Sequence, residues 1–494
     1  TLAAVALLLA GARASAAEPN APASAASTAA LTAAVDTPPA LEDSGFVDAR
    51  FGPLYTIEEV RVTGNRKTKT SLIVSELAVM GLAPGAAVDA SDARVEAARY
   101  RLLSLGYFLD VQLSVERGSE RGSVVLVVAV EERGTLVVNE LFLAHSEATL
   151  FWGGADVSET NFLGRGINQG GGFVASTKPI VQDSVSGLGL RFHLGVPPLG
   201  DPNGLGLAVT GLYNDGSEFY RLNGEDSDPD PGRFIATRVR RAGGVLTAGK
   251  MLPHNLHVTV AVREERVTAT LPPKPLREQL LPDGITQVPI DFMINEGSSE
   301  VGTVTAGLDY DSRSDPVLPR SGMRIALSVE TGTSLLGSDY SYVKTVLDGD
   351  FYFKMPHGAL GLHLFGGAIG GDAPYFDRFF IGDLDLLLPR RALGINFSTQ
   401  PAPNLLGTSI DGHRYDDFAG RLLVEYAIGI WRHKGFVYGG DAFVAVGLLE
   451  MGDEDELTSG SPPIGLTGDL GLRLDTYVGV FTISIANVVS RSSF

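Results

Sequence analysis

Two short patterns in this chain match parts of sites that bind phosphate or calcium. Gly244–Lys250 (GVLTAGK) contains most of a phosphate-binding loop, but Met251 replaces the required Ser or Thr and no helix follows. Asp226-x-Asp-x-Asp230 has the acidic spacing of a calcium loop, but Thr237 stands where that loop needs its last Glu. We therefore expect a strand at the first pattern. At the second we expect a solvated loop, with at most loose contact to divalent cations or lipopolysaccharide.

Hydrolytic and metal-dependent chemistry also lack a complete set of residues. His254 and His257 straddle a turn and a strand with no third ligand nearby, and the chain has no G-x-S-x-G nucleophile motif. We interpret four further charged residues as a network that rigidifies the fold: Asp309, Asp311, Arg313 and Glu330. The sequence thus predicts no enzyme, no catalytic residue, no metal and no cofactor.

Apolar and polar residues alternate along many segments, almost to the last residue of the chain. Representative segments are Leu256–Arg263, Ile325–Glu330, Leu470–Asp475 and Phe481–Ala486. Because side chains at i and i+2 of a strand share one face, each segment has an apolar face and a polar face. A soluble β-sandwich would turn the apolar faces inward, whereas a membrane barrel turns them outward to lipid.

The connections between these segments alternate between short and long, which favours the barrel. The short ones are Pro197–Asn203, Pro253–Asn255, Pro356–Gly358 and Arg432–Gly435; the long ones are Asp215–Gly232, Glu264–Glu300, about Gly371–His413 and Glu450–Gly468. Short turns at one rim and long loops at the other are typical of bacterial outer-membrane barrels. At roughly 22 residues per strand and connection, residues 135–494 predict a transmembrane antiparallel β-barrel of about 16 strands.

The composition restricts the partners and the compartment. The chain has no cysteine, which excludes disulfides and thiolate metal sites and fits an exported Gram-negative protein. Its net charge of −19 argues against a nucleic-acid partner, whose phosphates need a basic surface. No apolar run reaches the length of about 18 residues needed for a spanning helix, so strands must cross any membrane.

The N-terminal segment has the features of export. Residues 1–16 contain the apolar run Leu2–Ala10 and the small-residue site Ala14-Ser-Ala16, so we interpret them as a signal peptide that is incomplete at its N-terminus. Residues 17–52, rich in Ala, Pro and Ser, are expected to be a flexible periplasmic tether. An ordered capping segment is the alternative.

A small α+β domain is predicted at residues 53–134. The expected order is strand, helix, helix, strand, strand, at Ile57–Thr63, Thr70–Leu77, Asp92–Leu105, Asp110–Arg117 and Val124–Glu131. Thr70 is expected to cap the first helix, and Gly106 to end the second in a left-handed conformation.

This domain resembles one POTRA (polypeptide-transport-associated) domain, giving a βααββ module before the barrel. The similarity is carried by I-x-x-V-x-V-x-G-N from Ile57, by L-x-x-x-G-Y-F-x-D-V over Leu102–Val111, and by V-x-V-E-E ending at Glu132.

The barrel is similar to that of BamA/TamA-like outer-membrane assembly factors, the bacterial surface antigen family. The matching features, in order along the chain, are Asn161–Gly166 (NFLGRG), the signature residues Asp309, Asp311, Arg313, Pro319 and Gly322, the late strands Gly420–Glu425, Asp441–Phe443 and Gly471–Asp475, and the terminal Phe494. The order and spacing of these motifs, over about residues 55–494, carry the resemblance.

The resemblance implies a function in handling unfolded outer-membrane or secreted polypeptides. A POTRA domain offers an open strand edge, where a client of almost any sequence can add a strand. We expect the client to contact Leu103, Tyr107, Phe108, Val111, Leu113 and Val115, although Leu103, Tyr107 and Phe108 could instead fill the core. The first and last barrel strands, about 136–144 and 480–489, would meet at a seam that templates insertion. Other expected partners are outer-membrane lipid, lipopolysaccharide, and periplasmic or lipoprotein accessory factors.

The chain departs from the family at the tip of its longest loop. The family has an R-G-F/Y tip there, whose arginine pairs with carboxylates of strands inside the barrel. This chain has Leu386–Leu388 at that place, with Arg390 and Arg391 displaced by a few residues. They are expected either to reach Glu425 and Asp441 as a lock between loop and lumen, or to be ordinary loop arginines.

Two other functions remain open on the sequence alone. One is a passive pore or structural surface barrel that kept the fold after losing the loop tip. The other is an exporter of one secreted partner. A single POTRA domain argues against the principal assembly factor of the membrane, which usually has several.

Overall fold

The computed structural model of the chain describes most residues from 54 to 492. The ranges are 54–89, 92–196, 204–224, 228, 230–252, 255–315, 317–380, 391–399, 415–432, 435–453 and 464–492. The predicted signal peptide and tether, Arg390, Leu386–Leu388 and Phe494 lie outside these residues.

An N-terminal domain of four strands and two helices precedes a large sheet. Its elements are β1 Tyr55–Thr63, α1 Thr70–Val79, β2 Ala87–Val88, α2 Ala93–Ser104, β3 Phe108–Arg117 and β4 Ser123–Glu132. The sheet order is β2-β1-β4-β3, with β1 and β4 parallel and the other pairs antiparallel. The two helices cover one face, and Ile73, Leu77, Leu102 and Leu126 are fully buried between the layers. This is the predicted βααββ arrangement with one short extra edge strand, β2.

The ends of the two helices follow local hydrogen-bonding chemistry. Asp92 caps α2, since its side chain accepts a bond from the Arg94 N–H, and Gly106 follows the helix at φ +76°. The expectation that Thr70 caps α1 is wrong. Lys69 occupies the cap position, and the Thr70 hydroxyl instead accepts a bond from Asn65.

The large sheet contains fifteen strands in consecutive antiparallel order. They are β5 Leu136–Ala144, β6 Trp152–Phe162, β7 Ile167–Ser176, β8 Leu188–Val196, β9 Gly206–Arg221, β10 Phe234–Leu252, β11 Leu256–Thr270, β14 Gly297–Asp311, β15 Gly322–Gly332, β16 Ser341–Met355, β17 Gly358–Asp372, β20 Phe418–Arg432, β21 Val437–Gly452, β22 Ile464–Thr476 and β23 Gly479–Ser492. Two small pairs lie in the loops: β12 Glu278–Leu280 with β13 Gln287–Pro289, and β18 Phe379–Phe380 with β19 Tyr415–Asp416.

The alternation predicted from the sequence is present along these strands. On β22, Leu470 and Leu472 are exposed on the outer surface, whereas Arg473 and Asp475 are mostly buried on the inner side. The same pattern occurs on β8, where Leu190, Phe192 and Leu194 face outward. Large apolar side chains on the outside of a closed sheet indicate a lipid-facing surface. No helix in the described part of the chain is long and apolar enough to cross a membrane.

The barrel architecture is confirmed, with one strand fewer among the described residues than the sequence estimate. The estimate assumed equal spacing, but the connection from β17 to β20 alone runs from residue 373 to 417. Several strands are also longer than lipid requires. β10 has 19 residues, whereas a tilted strand needs about 9–11 to span the hydrocarbon.

The tightest turns lie at the end of the barrel that carries the N-terminal domain. The β6–β7 turn contacts this domain directly, since the Lys69 N–H donates to the Gly164 carbonyl at 2.9 Å. The β22–β23 turn also contacts it, since Lys67 Nζ donates to the Tyr477 hydroxyl at 3.1 Å. Because successive hairpins alternate ends, the other short turns share this rim and the long loops occupy the opposite rim.

The joint between domain and barrel is built on the Asn161–Gly166 motif. The Asn161 side chain donates to the Thr68 hydroxyl at 2.9 Å and accepts from the Gly166 N–H at 2.8 Å. Gly164 has φ +71°, and a Cβ there would lie 2.0 Å from the Lys67 carbonyl oxygen. This position therefore needs glycine, both for its conformation and for the close backbone approach.

Glu132 holds the domain's side of this joint in shape. Its carboxylate accepts backbone N–H bonds from Arg66, Lys67 and Thr68 at 2.7–3.1 Å. Burial raises the pKa of Glu132, but these bonds lower it by more, so the net pKa lies below its ordinary value. The ionised side chain thus fixes the loop that meets Gly164.

We expect Gly164→Ala to loosen the domain from the barrel, because the added Cβ collides with the Lys67 carbonyl. Cysteines introduced at Glu120 and His357 would carry unique spin labels, since the chain has no cysteine of its own. The distance distribution between the labels should broaden in the variant. Gly122→Ala is the matched control, because Gly122 also has positive φ (+94°) but has open space around its Cβ position. An unchanged distribution in Gly164→Ala would contradict a rigid joint at this turn.

Candidate functional site

Described parts of the connection between β17 and β20 lie inside the barrel. Two of them, residues 373–380 and 391–399, are here called the plug segment. Tyr375, Phe376, Phe379 and Phe380 are buried, as are Ile395 and Phe397. The plug segment contacts both sides of the barrel wall, so it occupies the lumen at this level.

On one side, Asp377 binds the strands β11 and β16. Arg263 donates two hydrogen bonds to the Asp377 carboxylate, at 3.0 Å and 2.5 Å. Lys344 Nζ donates to the Asp377 carbonyl at 2.7 Å and lies 4.8 Å from the Phe379 ring centre. A bidentate arginine–carboxylate pair fixes both distance and orientation, so this contact positions the first half of the plug segment.

On the other side, the second half of the plug segment binds the early strands. Asn214 of β9 donates to the Leu393 carbonyl at 2.9 Å, and Ser146 donates to the Phe397 carbonyl at 2.8 Å. The Phe397 ring also stacks on Trp152 of β6, with ring centres 5.3 Å apart.

The two carboxylates expected to receive a loop arginine are paired with a strand arginine instead. Arg473 of β22 makes an ion pair with Glu425, and its Nε lies 3.4 Å from Asp441 Oδ1. Arg391 makes contacts closer to its own loop, donating to the Phe376 carbonyl at 3.3 Å and lying over the Phe380 and Tyr415 rings. The expected pairing of Arg391 with Glu425 and Asp441 is therefore wrong, and that of Arg390 falls outside the described residues. A strand arginine that faces its carboxylate partners across two neighbouring strands reaches them without any loop.

The barrel signature forms the connection between β14 and β15 at the rim near the N-terminal domain. Asp311 accepts bonds from Arg313, and Asp309 accepts bonds from Arg324 at 2.6 Å and 3.0 Å. Gly322 has φ +95°, and a Cβ there would lie 2.2 Å from the Ser312 carbonyl oxygen. Pro319 lies in the same connection. These residues thus shape a turn, while Glu330 lies higher in the barrel, beside the plug segment, 2.6 Å from the Tyr342 hydroxyl.

The six predicted client-binding residues separate into core and surface. Tyr107, Phe108 and Val111 are buried in the core of the N-terminal domain, so the expectation that a client contacts their side chains is wrong. Burial also raises the pKa of the Tyr107 hydroxyl to about 12. Leu103 and Leu113 are partly buried against this core, and Val115 is 57% exposed.

The backbone edge of β3 is the part of this domain that could accept a strand. β3 pairs only with β4 in the described sheet, so its other side is an edge. The Val111 carbonyl points to this edge, since it accepts a bond from Arg99 at 2.8 Å. Because alternate residues of a strand direct their N–H and C=O to the same side, Leu113 and Val115 point there too.

The two end strands of the large sheet meet only near the rim. The Val138 N–H of β5 donates to the Val478 carbonyl, just before β23, at 2.8 Å. Gly479 also lies close to Val137 and Val138, and β5 and β23 share no ladder in the described sheet. The expected seam is therefore present, with one bridge next to the N-terminal domain.

Sequence reasoning missed Asp377, Arg263 and Arg473. Arg263 and Arg473 occupy polar positions of strands that the alternation identified, so their inward direction was available from the pattern. Asp377 lies in the long connection between β17 and β20, where no alternation indicates direction. No periodic signal indicates which inward residues meet across the lumen.

We expect Arg473→Leu to destabilise the barrel by about 3–5 kcal/mol, because it leaves two buried carboxylates without their partner. The temperature at which the folded band converts to the unfolded band in gel-shift electrophoresis should fall clearly. Arg266→Leu is the control, since Arg266 is 71% exposed and its ion pair with Glu300 contributes about 0–1 kcal/mol. Equal shifts in the two variants would show that Arg473 does not carry this role.

Two family models match the chain. One, described as the Omp85 superfamily domain, matches residues 216–487, and the other, POTRA, described as a surface antigen variable number repeat, matches residues 55–133. A comparison with curated protein sequences finds no match.

Several solved structures are similar in fold. CdiB from Escherichia coli is 11% identical, with 89% of this chain and 73% of that chain covered and a TM-score of 0.57. CdiB from Acinetobacter baumannii is 11% identical, with 88% and 74% covered and a TM-score of 0.51. BamA from Haemophilus ducreyi lacking POTRA domains 1–3 is 15% identical, with 89% and 82% covered and a TM-score of 0.47. At these identities the CdiB structures show the fold alone.

Proposed function

Because the chain belongs to the Omp85 superfamily, whose model matches more than half of it, we propose that it assembles or translocates polypeptides at the bacterial outer membrane. The barrel spans this membrane and the POTRA domain lies in the periplasm. In this proposal the client is an unfolded outer-membrane or secreted polypeptide. Contacts with lipopolysaccharide and accessory lipoproteins remain predictions from the sequence.

The observation that supports the proposal is that the molecule has two open strand edges, one on the POTRA domain and one on the barrel. The β3 edge of the POTRA domain lies on the module that is fixed to the barrel through Gly164 and Tyr477. The seam between β5 and β23 begins at Val138, only a few residues after this domain ends. A client captured at the first edge is thus held close to the second.

The first step is strand addition to β3. Main-chain bonds supply most of the affinity in this mode, so the site tolerates many client sequences. Only the exposed side chains on the edge, such as Val115, would touch the client. Tyr107 and Phe108 are buried in the domain core, at the start of β3, and would not touch the client.

The second step is templating at the seam. An unpaired backbone group in lipid costs several kcal/mol, so a client strand entering the membrane alone meets a high barrier. The β5 edge offers it hydrogen-bonding partners at the depth where it needs them. One main-chain hydrogen bond, from Val138 to Val478, holds the seam at the rim. A client strand therefore has few hydrogen bonds to displace before it can enter.

The lumen argues against a passive pore. The described plug segment binds both sides of the wall and fills the interior with aromatic side chains. A steady conducting channel would need this space to be water-filled. We also propose that the protein is not an enzyme, because its inward charges are used in ion pairs.

We expect Val115→Pro to slow the folding of an unfolded client barrel protein in liposomes that contain the full chain. Proline removes an N–H that points to the open edge and breaks no bond to β4. Losing one main-chain bond of about 0.5–1.5 kcal/mol should weaken capture by roughly twofold to tenfold.

Val115→Ala is the control for this experiment. It shortens the side chain but keeps the N–H, so the client should fold about as fast as with the natural chain. Equal rates with the proline and alanine variants would contradict strand addition at β3.

We expect a disulfide across the seam, from Val138→Cys and Val478→Cys, to stop client folding and to be reversed by reductant. The hydrogen bond between these residues places them within reach of a disulfide. The control is Val444→Cys with Leu470→Cys, which faces lipid across the continuous β21–β22 pair. If the seam disulfide forms fully and the client still folds at the natural rate, templating at this seam is wrong.

A further inference from the structure

We propose that Asp377 and Arg263 form the lock that holds the plug segment in the lumen and keeps the barrel closed to ions. This lock has the charges opposite to the arrangement expected from the sequence, since the loop supplies the carboxylate and the strand supplies the arginine. The proposal does not depend on the proposed function, because ion conductance can be measured without a client.

Burial makes this pair a structural constraint. The Asp377 and Arg263 side chains are only 9% and 14% exposed. Taking either charge out of water is costly unless its partner is in place, so each residue selects the position of the other. The bidentate geometry adds orientation to this selection.

Hydroxyl and backbone contacts complete the lock. The Tyr342 hydroxyl lies 2.8 Å from Asp377 Oδ2 and 2.6 Å from Glu330 Oε1, and donates its single proton to one carboxylate at a time. Arg263 also donates to the Tyr342 hydroxyl at 3.3 Å. The lock therefore joins the plug segment to β11, β15 and β16 together.

Asp377 enters a part of the lumen where several wall cations lie. Arg263 pairs with its carboxylate, Lys344 donates to its backbone carbonyl, and Arg241 pairs with Glu265, which also lies 3.7 Å from Arg263. An acidic residue at position 377 therefore meets a matching positive charge, whereas a basic residue there would meet like charges.

The site expected to receive a loop arginine is already filled. Arg473 pairs with Glu425 and lies beside Asp441, so a strand residue already occupies the position between those carboxylates. The described part of the plug segment is held at Asp377 instead.

The test is ion conductance of the full chain in planar lipid bilayers. The natural chain should show little steady current. Asp377→Arg and Arg263→Asp should each give a persistent current, because each places two like charges together and expels the plug segment. The double variant, Asp377→Arg with Arg263→Asp, should return to little current, because the pair is restored with its charges exchanged.

Arg266→Asp is the matched control. Arg266 lies on the same strand as Arg263, but it is exposed and pairs with Glu300 outside this cluster. It should leave the current unchanged.

Gel-shift electrophoresis must show that each variant is folded before its current is interpreted. If Asp377→Arg does not fold, Asp377→Asn replaces it, and it should also conduct because it removes the charge that pairs with Arg263. A folded Asp377→Arg or Asp377→Asn without current overturns the proposal. So does a double variant that conducts as much as the single variants, or a large steady current in the natural chain.

Discussion

In hydrocarbon a backbone N–H or C=O has no water to bind, so it must be paired within the protein. The architecture of the barrel depends on this requirement. Strands β6 to β22 meet the requirement by pairing on both sides, in a register that continues from one hairpin to the next. The requirement is met incompletely at β5 and β23, which share no ladder in the described sheet. The N–H and C=O groups of this barrel that lack a ladder partner are therefore concentrated at the facing edges of β5 and β23.

The lumen obeys a second constraint, because charges turned away from lipid still need partners. Arg473, Arg263 and Arg241 each lie beside carboxylates inside the barrel. These pairs are better understood as conditions on geometry than as sources of stability, since a buried ion pair offsets its own desolvation only when well placed. They determine where the plug segment can lie. They also join strands that are adjacent or two apart in the sheet, and through Asp377 they join the plug segment to the wall.

The sequence predicted the architecture because a barrel repeats a simple local rule. The alternation of apolar and polar residues predicted the lipid-facing surface, and the lengths of the connections predicted the two rims. Asp92 and Gly106 correctly predicted the two ends of helix α2. Partners across the lumen were not predictable in this way. Arg473 takes the place of the loop arginine because it lies at the same level of the barrel as Glu425 and close to it. The alternation of apolar and polar residues predicts neither that level nor that distance. Likewise, Tyr107 and Phe108 are core residues because a domain of this size needs most of its large side chains inside.

The parity of the sheet limits what can join it. Among the described residues the sheet has fifteen consecutive antiparallel strands, so β5 and β23 point in the same direction, away from the POTRA domain. A single strand placed between them is antiparallel to both only if it runs back toward that domain. An inserted hairpin, with two strands, would have to make one of its contacts parallel. Inserting an odd number of strands between β5 and β23 therefore completes an all-antiparallel ring, whereas inserting an even number does not. The number of strands in the sheet thus determines the direction in which a single inserted strand must run.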